Sequence, residues 1–262
     1  MAKKLLYFIL IHSIAICVNA QWSKIGEFEL DQVPAAIAGD FNGHLYLGYD
    51  NGSLVKLNAE GKELINYSLP NLSSISLIEP QFQLKTFLYY YDIQQITILD
   101  RFNAVPKTYA IRDFDLGIVN MSCPAPDGTF WFVENNPTFL KRIEPNQRIL
   151  ILETQPELGM DIRMMRSFQN ILMIVDERGL HILDQFGSNL HYYEGDDIQY
   201  ISLSENSIYF ESADKVIKMN PFSGEVISEI ACPIKQVKTM VYADGKFLFL
   251  VNNKLISYRR SE

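Results

Sequence analysis

Carboxylate and amide side chains recur along most of the chain at nearly constant intervals. The steps between them are 42, 42, 42, 35 and 41 residues, and the set is Asp50, Asp92, Glu134, Asp176, Glu211 and Asn252. If the fold brings these residues to one surface, they form an acidic rim that would attract a basic partner or weakly hold cations. Each also stands where an apolar segment gives way to a polar turn, and such side chains suit turns in any protein. Turn chemistry alone is therefore the simpler interpretation.

A second polar set lies at or just before the first strand of several predicted units. Its members are Asn120, Asp161, Arg163, Gln199 and Lys238. Mixed acidic, basic and amide side chains around one channel could bind a small polar ligand. They could equally hold ordered water.

Two runs of tyrosine form a third candidate surface. They are Phe87-Leu-Tyr-Tyr-Tyr-Asp92 and His191-Tyr-Tyr193. Successive side chains of a strand point to opposite faces, so at least one tyrosine of each run must leave the buried side of its sheet. Exposed tyrosines favour protein or sugar binding, and packing between neighbouring sheets is the alternative.

A strand-and-turn unit that recurs six times would position all of these residues. Leu54-Val-Lys-Leu-Asn58-Ala-Glu-Gly61 is the first copy and Leu180-His-Ile-Leu-Asp184 is the fourth. The turn residues of successive copies are 42, 44, 40, 36 and 39 positions apart. Each unit divides into four short strands, here called a, b, c and d, joined by turns rich in Asn, Asp and Gly. Repeats of this length built from strands indicate an all-β propeller.

The two ends of the chain predict how the ring closes. Ile25–Leu30 has the pattern of a d strand without a preceding a, b and c, whereas the chain finishes on the c strand Lys254–Tyr258. Pairing these two segments completes a sixth unit and removes the open sheet edges that favour aggregation. We therefore predict that residues 21–262 form a single domain, a six-bladed β-propeller of four-stranded antiparallel blades closed by the N-terminal strand.

Individual turns resemble those of known propeller families. Pro126-Asp-Gly-Thr-Phe-Trp-Phe-Val-Glu134 resembles the a–b turn and b strand of NHL, SMP-30 and virginiamycin-lyase type propellers. The c–d turns Asn58-Ala-Glu-Gly61 and Asp184-Gln-Phe-Gly187 are similar to those of NHL and PQQ-like repeats. The resemblance covers all six units and concerns the fold.

The enzymes among these families imply two kinds of chemistry near the axis. Resemblance to the lyases implies a histidine there, but His44, His181 and His191 map to b, c and d strands, away from the axis. Resemblance to the lactonases implies oxygen ligands for a divalent cation such as Ca²⁺ at the starts of the a strands. The residues in those places are Ser74, Asn120, Asp161, Gln199 and Gln236. Only one is acidic, whereas hard cations prefer several carboxylate oxygens, so we predict no cofactor.

The first twenty residues have the pattern of a secretory signal. Lys3 and Lys4 precede an apolar run, and Val18-Asn19-Ala20 has the small residues of a cleavage site. Cleavage there would leave no membrane span, and lipidation at Cys17 is the alternative. We predict an exported protein that is periplasmic, envelope-associated or secreted. In such a protein Cys123 and Cys232 could form a disulfide, but they should end strands on opposite faces, so we expect two buried thiols.

The leading functional hypothesis follows from the intact scaffold and from catalytic sets that are incomplete. We predict a monomeric, non-catalytic module that binds another protein, with the cell envelope as a location. The net charge of −8 argues against nucleic acid as a partner. The alternatives are a lactonase-like hydrolase or lyase that uses an axial divalent cation, and a carbohydrate-binding propeller.

Overall fold

The computed structural model describes residues 21–68, 73–80, 84–100, 106–135 and 138–260. Within them, strands form six sheets of four antiparallel strands each, with almost no helix. The predicted six-bladed β-propeller is confirmed. Residues 1–20, which carry the predicted signal, lie outside the described residues.

The strands follow the predicted order a, b, c, d in every blade. The first described strand is β1 (Trp22–Glu29), and blade 1 then comprises β2 (Ala36–Gly39), β3 (Leu45–Gly48), β4 (Ser53–Leu57) and β5 (Glu63–Ser68). Blade 2 comprises β6 (Leu77–Glu79), β7 (Lys85–Tyr90), β8 (Gln95–Asp100) and β9 (Lys107–Ala110), followed by a 3₁₀ turn at Ile111–Phe114. Blade 3 comprises β10 (Val119–Pro124), β11 (Phe130–Glu134), β12 (Phe139–Glu144) and β13 (Ile149–Thr154). Blade 4 comprises β14 (Met164–Phe168), β15 (Ile171–Val175), β16 (Gly179–Asp184) and β17 (Asn189–Glu194). Blade 5 comprises β18 (Ser202–Ser204), β19 (Ser207–Ser212), β20 (Lys215–Met219) and β21 (Val226–Ala231). Blade 6 comprises β22 (Thr239–Ala243), β23 (Lys246–Val251), β24 (Lys254–Arg260) and the N-terminal strand β1 (Trp22–Glu29).

The N-terminal strand closes the ring as predicted. β1 pairs antiparallel with β24, from Trp22 opposite Arg260 to Glu29 opposite Lys254. The indole of Trp22 packs edge-on against Phe247 at a centroid distance of 5.0 Å, and its Nε1 donates to the Ala231 carbonyl at 2.8 Å. An aromatic contact and a hydrogen bond to blade 5 thus reinforce the backbone pairing.

The repeated turn residues accept hydrogen bonds from the backbone of their own turns. Oδ1 of Asn58 accepts from the backbone of Glu60 and Lys62, and Oδ1 of Asp184 accepts from Phe186 and Ser188 at 2.8 Å each. Gly61 has a φ of +80°, which few other residues adopt. These contacts explain why an amide or carboxylate followed by glycine marks the c–d turns.

The core lies between the blades. The b strands are the most buried, and all five residues of β15 are inaccessible or nearly so. The d strands face solvent on one side, as the alternating exposure of β5 and β17 shows. The a strands come closest to the axis, so the residues that begin them surround the mouth of a central channel.

Candidate functional site

The predicted rim residues all lie at the ends of b strands, on the face made by the b–c turns and the d–a loops. This face is called the upper face below. Asp50 and Asp92 are exposed in b–c turns, whereas Asp176 is fully buried. The geometry of the predicted ring is therefore present, but its members have different surroundings.

Asp176 holds a loop and a turn together. Its carboxylate accepts from the backbone N–H of Gly159 at 2.7 Å and of Arg178 at 2.8 Å, and it contacts His181 Nε2 at 2.8 Å. Burial alone would raise the pKa of Asp176, but these backbone hydrogen bonds and the His181 ring outweigh it and hold the pKa below its ordinary value. Turn and loop architecture therefore accounts for this acid.

Glu134 and Asp50 have similar anchoring contacts. Glu134 accepts from the backbone N–H of Gly117 and forms an ion pair with Lys141 at 2.6 Å. Asp50 accepts from the Ser74 hydroxyl at 2.9 Å. Each acid ties a b–c turn to a d–a loop, which supports the simpler interpretation for these positions.

Glu211 lies in an open cleft with two further carboxylates, Asp197 and Asp214. Burial, with the nearby charges of Asp197 and Asp214, raises the pKa of Glu211 to about 7. Lys238 lines the same cleft. The charge of Glu211 therefore changes near neutral pH.

A cavity of about 150 Å³ opens on the upper face at the axis. Arg163, Gln199 and Lys238 line it, together with apolar residues that include Met164 and Leu250. Asn120 and Asp161, predicted to lie with them, are outside its lining. Asn120 instead exchanges side-chain hydrogen bonds with Asn135, and Asp161 accepts from Arg163 Nε at 3.1 Å.

A buried charged network lies across the channel beneath this cavity. Arg166 of blade 4 contacts Glu79 of blade 2 at 2.5 Å and donates to the hydroxyl of Tyr200, before blade 5, at 2.8 Å. That hydroxyl also accepts from the backbone N–H of Gly39 in blade 1 at 3.2 Å. Four blades therefore share one hydrogen-bonded cluster.

No sequence pattern identifies the residues of this network as functional candidates. Burial would lower the pKa of Arg166, but the Glu79 carboxylate outweighs it and raises the pKa, so the guanidinium stays charged. The local feature that could have indicated this network is the single charge of Arg166 in the otherwise uncharged strand Met164–Phe168. Its partner is 87 residues away, and no local pattern points to it.

Both described cysteines are free, as expected. Cys123 is buried in β10, and burial raises the pKa of its thiol well above the ordinary value. Cys232 follows β21, in the loop to blade 6, and is only half-buried. The prediction of two buried thiols is therefore confirmed for Cys123 and wrong for Cys232, which is of intermediate exposure.

The described histidines have structural contacts outside the axial cavity. They are His44 with Asp40 at 2.9 Å, His181 with Asp176 at 2.8 Å and His191 with the Phe222 carbonyl at 2.9 Å. In the described part of the chain, no three His, Cys, Asp or Glu residues are grouped to hold a metal ion. None of the described segments is a helix with the length and apolar character to cross a membrane.

Exposed apolar side chains interrupt the polar surface of the upper face. Tyr91 and Ile93 lie in the b–c turn of blade 2, Ile118 precedes blade 3 and Met160 precedes blade 4. The side chain of Gln94 joins the first two places by bonding both backbone groups of Val119, at 2.8 and 3.0 Å. These four apolar residues are called the apolar strip below.

The similarity to known proteins is structural. No protein-family model matches the chain, and no curated protein matches its sequence. A catalytically inactive virginiamycin B lyase from Staphylococcus aureus, solved with quinupristin, aligns with a TM-score of 0.61 at 13% identity, over 92% of this chain and all of that one. The β-propeller domain of Myceliophteria thermophila Cps50 (Swd1) aligns with a TM-score of 0.66 at 8% identity, over the same shares of the two chains. At such identities these likenesses establish the propeller fold alone.

Proposed function

We propose that this chain is an exported, non-catalytic propeller that binds a protein partner on its upper face, at the cell envelope. The observation that carries the proposal is the apolar strip surrounded by acidic loops. Ile118 and Met160 are 59% and 80% exposed, which is high for large apolar side chains in a domain with a closed core. Exposed apolar residues on neighbouring loops within a polar rim favour a protein interface.

Charge on the same face favours a basic partner. The described b–c and d–a loops contain twelve acidic residues and five basic ones. The acidic residues are Asp31, Asp50, Asp92, Asp113, Asp115, Glu157, Asp161, Asp176, Glu177, Asp196, Asp197 and Asp214. The basic residues are Arg112, Arg163, Arg178, Lys235 and Lys238. Such a field would accelerate association with a basic surface and would weaken as salt increases.

The test is capture from envelope extracts with matched charge reversals. Asp50→Lys with Asp92→Lys alters the upper face, and Glu60→Lys with Glu225→Lys alters exposed c–d turns on the opposite face. We expect the first pair to lose the captured partner and the second to keep it. Equal capture by both pairs would reject the upper face as the binding surface.

Ile93→Ser with Ile118→Ser tests the apolar strip separately. We expect at least tenfold weaker capture because the partner would lose apolar contact at the centre of the interface. Unchanged capture would show that the strip is not part of the interface. Export is tested by the mass of the protein recovered outside the cytoplasm, which should lack residues 1–20.

A further inference from the structure

The axial cavity is enclosed by parts of five blades. Its walls come from the loops and strands that begin blades 1, 2, 4, 5 and 6, and from Leu250 of blade 6. Tyr200 belongs to the lining, and its hydroxyl is held by Arg166 and by the backbone of Gly39. Hydrogen bonds therefore fix the Tyr200 side of the cavity, whereas Arg163, Gln199 and Lys238 are among its more exposed lining residues.

The two cations at the mouth differ in how firmly they are engaged. Arg163 donates to Asp161 at 3.1 Å and also to the backbone carbonyl of Asp196. The Lys238 ammonium contacts the Pro34 carbonyl at 3.4 Å and, among the described residues, forms no ion pair. Lys238 therefore retains donor capacity beside the cavity, and the Gln199 amide, which makes one long contact of 3.3 Å to the Asp197 carbonyl, lies next to it.

Below the mouth, the lining becomes apolar. Ile37, Ile78, Met164 and Leu250 line this part of the cavity, and all four are buried. Cations above and aliphatic side chains below suit a molecule with a charged end and a short apolar body.

We propose that the axial cavity binds a small carboxylate, with the anionic group at Lys238 and Gln199 and a short aliphatic body against Met164 and Leu250. Arg163 adds positive charge at the rim of the site, although Asp161 partly neutralises it. Two sources share this chemistry, a free short-chain acid and the C-terminal residue of a polypeptide. The inference stands on the cavity and does not depend on the apolar strip.

The adjoining acidic cleft determines how binding should vary with pH. Lys238 and Gln199 line both the cavity and this cleft, in which Glu211, Asp197 and Asp214 lie, with Cys232 close enough to feel their charge. A bound carboxylate is repelled by these acids. Because the pKa of Glu211 is raised to about 7, acidification from pH 8 to pH 6 removes most of one neighbouring negative charge and should tighten binding.

The test uses protein labelled with ¹³C at the methionine methyl groups, since Met164 lines the cavity. The probes are isovalerate, N-acetyl-L-valine and N-acetyl-L-valine methylamide, which keeps the body and lacks the charge. We expect the Met164 resonance, assigned with Met164→Leu, to shift saturably with both acids at a Kd of about 1 mM. The methylamide should bind at least tenfold more weakly.

Lys238→Leu should weaken binding of both acids at least tenfold, whereas Lys235→Leu, in the same loop but outside the cavity, should leave it unchanged. Tighter binding of isovalerate would identify a free acid as the natural type of ligand, and tighter binding of N-acetyl-L-valine would identify a chain end. Equal shifts with acid and methylamide, or no shift of Met164 up to about 30 mM acid, would overturn the proposal. Loss of partner capture in the charge-reversal variants would not affect these results, so the two proposals can fail separately.

Discussion

Removal of one partner from the Arg166–Glu79 pair should destabilise the whole ring. The side chain of Arg166 is 2% exposed and that of Glu79 is 14% exposed. Glu79→Gln leaves a buried cation without its counter-charge, and Arg166→Met leaves a carboxylate that retains some solvent. We therefore expect Glu79→Gln to be the more damaging change.

The magnitude follows from the cost of a buried charge that has lost its partner, about 3–5 kcal/mol in the free energy of unfolding. Glu79→Gln should lie near the upper part of that range, because Arg166 is almost inaccessible and the Gln amide replaces only part of the interaction. Arg166→Met should cost about 2–3 kcal/mol, because the exposed edge of Glu79 relieves part of the penalty. In a domain of this size each kcal/mol lowers the Tm by about 2–4 °C, so a loss of about 4–5 kcal/mol in Glu79→Gln should lower it by about 8–20 °C.

The assay is guanidinium unfolding of the wild type, both single variants and the double variant Glu79→Gln/Arg166→Met. The double variant leaves no buried charge, so it should be more stable than the sum of the single losses predicts, by at least about 1.5 kcal/mol of coupling. Ser53→Ala, at a half-buried position in blade 1, serves as the control for ordinary substitutions. If Glu79→Gln cost less than about 1 kcal/mol, or if the two single losses were additive, a central role for the pair would be refuted.

Three further predictions concern other parts of the ring. Trp22→Ala should reduce the free energy of unfolding by about 2–3 kcal/mol, because it removes the contact with Phe247 and the hydrogen bond to Ala231. Denaturant titrations measure this change, and an unchanged midpoint would mean that the backbone pairing of β1 with β24 alone keeps the ring closed. Folding raises the pKa of Glu211 from 4.5 to about 7, so between these pH values the folded state keeps a proton that the unfolded state releases. This tighter proton binding stabilises the folded state fully below pH 4.5, and the stabilisation is lost as the pH rises through 7. Glu211→Gln should flatten that slope and stabilise the protein at pH 8 by about 1 kcal/mol, after allowance for partial solvent screening; parallel pH profiles of variant and wild type would contradict this. Burial raises the pKa of Cys232 to about 12 and that of Cys123 well above its usual value. A thiol reagent at pH 8 should therefore modify both cysteines much faster in the guanidinium-unfolded protein than in the folded protein. Rapid labelling of the folded protein would contradict the raised pKa values.

Local sequence carried most of the information about the fold. Asn58 and Asp184 accept backbone hydrogen bonds within their own turns, so their spacing reports the c–d turns directly. The unpaired d strand at the start of the chain and the unpaired c strand at its end were enough to predict β1 beside β24. Boundaries shifted by a few residues where a strand continues into its loop, as at Trp22 and Arg260.

The candidate sites were less predictable because they depend on contacts between blades. Arg163, Gln199 and Lys238 line one cavity, as expected of residues that begin or precede a strands, but their role in binding stays a prediction. The roles of Asp176 and Glu134 could not be separated from those of Asp50 and Asp92, because all four occupy the same position in the repeat. The Arg166–Glu79 pair joins blades 2 and 4, and nothing in either segment specifies the other.

The closure of the ring also determines how it would respond to force. Trp22 lies directly opposite Arg260, so the first residue of β1 and the last residue of β24 are side by side at one end of the paired strands. The hydrogen bonds of an antiparallel pair run perpendicular to its strands, so tension on the two ends would load them one after another and not all together. A propeller tethered at both ends would therefore unzip at low force from Trp22 toward Glu29, while the five blades closed within themselves would stay folded.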